Sequence, residues 1–315
     1  MCKLQYPGLN LWQIDISETV KEKKLMTTTG ECKMKFDVML GNPPYQAPQT
    51  IRNDKGLTGG GTTLWNRFLT MSIEDIVKDG GYVCMVHPSG WRQPTNKLWA
   101  LMREKQIEYL EIHSDKDGKR VFGADTRYDW EIIHNAPVTK STVIKDENGI
   151  EISVAINKLP FIPNFAFDIL DKIVAKNGDP TCELAYSRSA YGTDKSNMRD
   201  TQNGQFQHSC VYMISIKRGP TFWYSNTRNN GHFGVPKVIF ASGRSTGYIL
   251  DTNGEYGLTQ FARAIVDDAK NLPSIYKALT SEKFAAFGKS LHIAQTEMNK
   301  DCFQYFRKDF WKEFK

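Results

Sequence analysis

Phe36-Asp37-Val38-Met39-Leu40-Gly41-Asn42-Pro43-Pro44-Tyr45 reads as a short apolar strand running into a stiff turn. Consecutive prolines fix their own φ angles and restrict the residue before each. Asn42 and Tyr45 are therefore presented with little freedom, an amide first and an aromatic ring three residues later. That arrangement suits a planar, nitrogen-bearing substrate. The Asn42 carbonyl and the Pro43 backbone carbonyl can accept hydrogen bonds from an –NH2 group, and the Tyr45 ring can stack on the face of the molecule that carries it.

Working outward, Leu9-Asn10-Leu11-Trp12-Gln13-Ile14-Asp15 reads as an earlier strand that ends on an acidic residue. Downstream, Gly59-Gly60-Gly61 sits in a polar loop, and Leu64 to Ile73 has helical apolar spacing. Asp79-Gly80-Gly81 reads as a helix stop before a strand, Tyr82 to Val86, that leads into His87-Pro88-Ser89-Gly90-Trp91. A histidine at a strand end beside proline reads as structural rather than as a general base. Further on come a helix around 95 to 105, a strand over Ile107 to Ile112, and Phe122 just before the strand-forming run Tyr128 to Ile133.

FDVMLGNPPYQ resembles motif IV of the amino-methyltransferases, above all the N6-adenine DNA methyltransferases of Eco57I-like restriction–modification systems. The stretch GGYVCMVHPSGW and the Phe122 region are similar to later parts of that family. The resemblance covers residues 9 to 135 well and the remainder loosely. It implies an α/β, Rossmann-like core that uses S-adenosylmethionine, followed by a C-terminal mixed α/β target-recognition domain. In the catalytic role it places Asn42, Pro43, Pro44 and Tyr45. Asp15, with Asn42, would contact the cofactor, and Tyr45 with Phe122 would stack on a flipped-out adenine. The family's N-terminal glycine motif does not precede Asn42, so the core is expected to be N-terminally shortened. A permuted glycine turn at Val238 to Gly247 is the alternative.

Composition is compatible with this reading. The chain has 315 residues, 40% of them hydrophobic, and a net charge of +6, which fits a phosphate-binding surface. Six cysteines are scattered without a CxxC pair, so neither a disulfide framework nor a zinc site is expected. With no signal-peptide stretch and no apolar run of membrane length, the expected compartment is the cytoplasm of a bacterial or phage-infected cell.

Past Thr139 the character changes. A hairpin is expected around Asn148-Gly149, and Leu159 to Asn164 reads as a linker, which divides the chain into a catalytic core (1–158) and a DNA-recognition domain (159–315). The second region interleaves basic residues with aromatics and amides, a pattern suited to phosphates and base edges. Arg188, Lys217, Arg218, Arg228 and Arg244 are its candidate DNA contacts. The function implied is site-specific methylation of adenine in double-stranded DNA. The alternatives are a split methylase whose missing motifs come from a second polypeptide, and a methyltransferase for a protein glutamine or an RNA amine.

Overall fold

The computed structural model describes residues 26–27, 30–31, 34–46, 63–186, 196–241, 247–294 and 297–315. Asp15, Arg188, Arg244, the Gly59 triplet and most of the 242–247 turn lie outside these residues. The chain divides into two compact units between Ile162 and Pro163, inside the segment read as a linker.

The first unit is mixed α/β and carries a six-stranded sheet. Its strands are β1 (Phe36–Gly41), β2 (Val77–Pro88), β3 (Lys105–His113), β4 (Tyr128–Pro137), β5 (Thr142–Lys145) and β6 (Glu151–Val154). The sheet order is β1-β2-β4-β3-β5-β6. β1 runs parallel to β2 and β3 parallel to β5, while β4 lies antiparallel between β2 and β3. The β5–β6 hairpin turns at Asn148-Gly149, where Gly149 takes φ +81° and Asp146 Oδ1 accepts the Asn148 and Ile150 N–H groups.

Successive side chains of a strand point to opposite faces, and β2 and β4 alternate accordingly between buried and half-exposed. Val83, Met85, Ile133 and Leu110 are buried. Helix α1 (Trp65–Met71) and the π turn Ser72–Ile76 pack Leu64, Phe68, Met71 and Ile76 against Phe36 and Met39 of β1. Helix α2 (Lys97–Met102) contacts β3 and is capped by Asn96, whose Oδ1 accepts the Leu98 N–H at 2.9 Å. On the other side of β1, Val38 and Leu40 are exposed, Leu40 by 74%.

One expectation changes here. Asp79-Gly80-Gly81 does not stop a helix but lies within β2, because the helical segment ends at Ile76 in the π turn. Gly81 is demanded by close approach: a Cβ there would stand 2.7 Å from the Asp37 carbonyl oxygen and 2.6 Å from Val77 Cγ1. The register between β1 and β2 shifts at this point, between Phe36 and Val38.

The second unit holds two four-stranded sheets. Their strands are β7 (Glu183–Tyr186), β8 (Met198–Arg199), β9 (His208–Ser215), β10 (Gly219–Ser225), β11 (Lys237–Ala241), β12 (Tyr248–Asp251), β13 (Gly257–Leu258) and β14 (Ala262–Val266). The sheet orders are β8-β10-β9-β13 and β12-β11-β14-β7. Its described residues also form three helices, α4 (Phe167–Ile173), α5 (Leu272–Leu279) and α6 (Glu282–Ser290). The C-terminal aromatics pack rather than point outward: Phe284, Phe287, Phe303, Phe306, Phe310 and Phe314 are all buried. Beyond α6 the chain forms two 3-10 turns rather than a continuous helix.

No helix among the described residues is long and apolar enough to cross a membrane. Nor do they gather three His, Cys, Asp or Glu side chains that could hold a metal ion.

Candidate active site

Topology brings four stretches of the first unit to one edge of the sheet. Parallel β1 and β2 end there at Gly41 and Pro88. β3 ends beside them at His113, and antiparallel β4 begins there, with Tyr128 opposite both Pro88 and His113. Asn42 follows β1 directly and is exposed; Pro43, Pro44 and Tyr45 are half-buried. The Leu64 N–H donates to the Tyr45 carbonyl at 3.0 Å, and Gln46 bridges Thr63, so the turn is pinned to the start of α1. Burial holds the Tyr45 phenol above its ordinary pKa, and its buried hydroxyl has no hydrogen-bond partner among the described residues.

Below this surface lies a buried polar network. His87 and Glu131 are fully buried, with Nε2 and Oε1 2.6 Å apart. Burial alone would lower the histidine pKa, but the Glu131 carboxylate outweighs it, and the pKa of His87 is raised. Burial likewise raises Glu131, against the opposing pull of His87. The imidazole stacks on Trp65 at 4.9 Å, next to the Leu64 that holds Tyr45. Beside this pair, Asp129 Oδ2 accepts from Arg92 Nε at 2.7 Å and from Trp91 Nε1 at 2.9 Å. His87 is thus enclosed by aromatic rings and a carboxylate, and the loop after β2 is bolted to the start of β4.

Phe122 is the last residue of helix α3 (Asp115–Phe122; the later helices α4 to α6 belong to the second unit). Sequence reading missed this helix, although its signals are present. Ser114 caps it by accepting the Asp117 N–H, Asp115 and Asp117 fill its acidic first turn, and Gly123 closes it at φ +72°. The helix ends with the Phe122 ring 6.3 Å from the Tyr45 ring, centroid to centroid, at an interplanar angle of 71°. Phe122 in turn meets Tyr128 edge-on at 4.9 Å.

The basic candidates of the second unit are dispersed. Lys217 and Arg218 are exposed in the turn joining β9 to β10, where Ser215 Oγ accepts both backbone N–H groups. Arg228 lies beyond the far end of the seven-residue β10, roughly 20 Å away at the usual rise of a strand. Its guanidinium is folded onto the Phe233 ring at 5.0 Å and donates to the Gly254 carbonyl at 3.4 Å.

Residues 8–122 match the family described as Eco57I restriction-modification methylase. The chain is also 29% identical over 152 residues to the modification methylase CviBIII of Paramecium bursaria Chlorella virus NC1A, a match covering 46% of this chain. It spans 36% of the length of that relative. Among solved structures, the type IIL restriction-modification enzyme MmeI in complex with DNA aligns with 93% of this chain and 47% of its own, at 12% identity and a TM-score of 0.44. The methyltransferase subunit of the type I restriction-modification system from Streptococcus thermophilus aligns with 40% of this chain and 30% of its own, at 18% identity and a TM-score of 0.27.

Proposed function

From the resemblance of residues 8–122 to the restriction–modification methylases, we propose that this chain carries the acceptor side of a DNA adenine-N6 methyltransferase. The observation that carries the reading is the convergence of Asn42, Tyr45 and Phe122 at the carboxyl edge of parallel β1 and β2. In open α/β sheets, ligands bind in the crevice outside the carboxyl ends of the strands, which is also the support for a Rossmann-like core.

Each residue contributes a separate element. The Asn42 side-chain carbonyl and the Pro43 backbone carbonyl can each accept a hydrogen bond, so an exocyclic –NH2 would donate both protons and turn its lone pair outward. Tyr45 and Phe122 supply the aromatic surfaces that hold a base taken out of its stack. S-adenosylmethionine would supply an electrophilic methyl group, with Asn42 and Asp15 as the residues that hold it. Such a transfer needs no strong base, since the amine proton leaves after the methyl group arrives. Placement of the acceptor therefore contributes much of the rate. The second unit would contact duplex DNA, and its candidate contacts Lys217, Arg218 and Arg228 are all exposed.

The test is tritium transfer from labelled S-adenosylmethionine to unmethylated duplex DNA, with RNA and protein as parallel acceptors. Asn42→Ala is expected to lower transfer at least about 100-fold, the scale of a misplaced reacting group, while leaving duplex binding nearly intact. Full activity in that variant would remove Asn42 from the site. Calorimetric titration with the cofactor examines the donor side: absence of heat at millimolar cofactor would favour a split methylase completed by a second polypeptide.

A further inference from the structure

The two rings assigned to the base do not form a slot as they stand. A base held between two faces needs them nearly parallel and about 7 Å apart, twice the optimal carbon–carbon contact. Tyr45 and Phe122 are instead inclined at 71°, with centroids 6.3 Å apart. A planar base enters only when one ring turns. Tyr45 is the stiffer of the two, following two prolines and holding the Leu64 N–H on its carbonyl. Phe122 stands at a helix end, exposed, with Gly123 in the left-handed region behind it.

What Phe122 leans on is far less free. Tyr128 is buried, its hydroxyl donates to Asp117 Oδ2 at 2.5 Å, and its ring lies flat on His113 at 4.3 Å and 4°. Asp117 is fixed in its turn: its N–H donates to Ser114 Oγ, its Oδ1 accepts from Arg120, and its Oδ2 stands 2.9 Å from His113 Nδ1. Gly118 seats the helix against residue 126, since a Cβ at that position would come within 1.9 Å of the Thr126 carbonyl oxygen. The bearing is held by hydrogen bonds and packing, and the ring it carries is exposed at the end of the helix.

We propose that Tyr128, locked by Asp117 and His113, is a positioning residue that sets the arc through which Phe122 turns to receive the target base. The proposal rests on the function given above and deepens it. Neither Tyr128 nor Asp117 touches the base; both act through Phe122.

Two conservative variants of the full chain test it. Tyr128→Phe keeps the ring and removes the hydroxyl, and Asp117→Asn keeps the shape and removes the charge. In protein carrying 4-fluorophenylalanine at position 122, both variants should shift or broaden the fluorine resonance. An unchanged resonance would overturn the proposal, and this measurement needs no methyl transfer. In the tritium assay with long unmethylated duplex DNA, each variant should lower kcat about tenfold with KM unchanged. Added to Phe122→Ala, neither should lower it further, because residues acting through a common group are not additive. Additive losses, or a change confined to KM, would overturn it. If the unaltered protein binds S-adenosylmethionine and still transfers no methyl group to DNA, the proposed function fails, and the fluorine measurement alone decides whether Tyr128 holds Phe122.

Discussion

Two aromatic rings meet at the edge of the first sheet, and they are held in different ways. Tyr45 is placed by its own backbone: a strand, two prolines and one backbone hydrogen bond to Leu64. Phe122 is placed by contacts between distant residues, with Gly118 against Thr126, Asp117 against Tyr128, and Tyr128 against Phe122. Covalent restraint is local and survives most substitutions elsewhere. Contact restraint is cooperative, and one altered neighbour can release it.

Mutations can break or sharpen that contrast. The largest expected effect is at His87. Removing it leaves the fully buried Glu131 carboxylate without its partner, a loss of about 3–5 kcal/mol. Urea unfolding of His87→Ala reads this directly. Because the Tyr45 turn is fixed by its own chain, transfer per folded molecule should be retained; loss of both together would mean that Tyr45 also depends on contacts, through Trp65. Gly118→Ala comes next. The new Cβ would overlap the Thr126 carbonyl, so the helix must move at about 1–3 kcal/mol, the usual range for overpacking. Transfer by the folded protein should fall with it, whereas stability and transfer both at the unaltered level would show that α3 has slack.

Pro44→Ala probes the covalent side. It should lower stability by only about 0.4–1 kcal/mol, by restoring freedom to the unfolded chain. A loss in urea as large as that of Gly118→Ala would erase the distinction between the two rings. The smallest effect concerns pH. The Tyr128 hydroxyl, and after it Arg120, hold the Asp117 carboxyl down to about 2, from an ordinary 3.8. A depressed acid contributes stability that is present above its ordinary value and is lost as pH falls toward the folded one. Asp117→Asn should therefore flatten the decline of the urea midpoint between about pH 4 and pH 2, and an unaltered acid limb would count against the Tyr128 bond.

The same contrast explains what the sequence discloses. Asn42 to Tyr45 is legible because its stiffness is covalent and its neighbours in space are its neighbours in sequence. The strand Tyr82 to Val86 is legible through its apolar run, although its true start at Val77 is not. Gly80-Gly81 reads as a stop, whereas the reason for Gly81 is the Asp37 carbonyl on the adjoining strand. Arg92 and Asp129 look like ordinary surface charges until β4 slots in beside β2 and buries them together. Phe122 could be picked out only by resemblance, since its bearing, Tyr128, is reached through α3. Lys217, Arg218 and Arg228 share one basic, aromatic stretch, yet a whole strand separates the first two from the third.

The position of β4 has a consequence for synthesis. It is made after both β2 and β3, yet it fills the gap between them. Until Pro137 has left the ribosome, both of those strands present open edges to other nascent chains. The rings of Tyr45 and Phe122 can meet only after that late insertion, so a chain arrested before Tyr128 would carry the amide and its prolines but no enclosed site. Sheet closure that waits for a later segment is also slow.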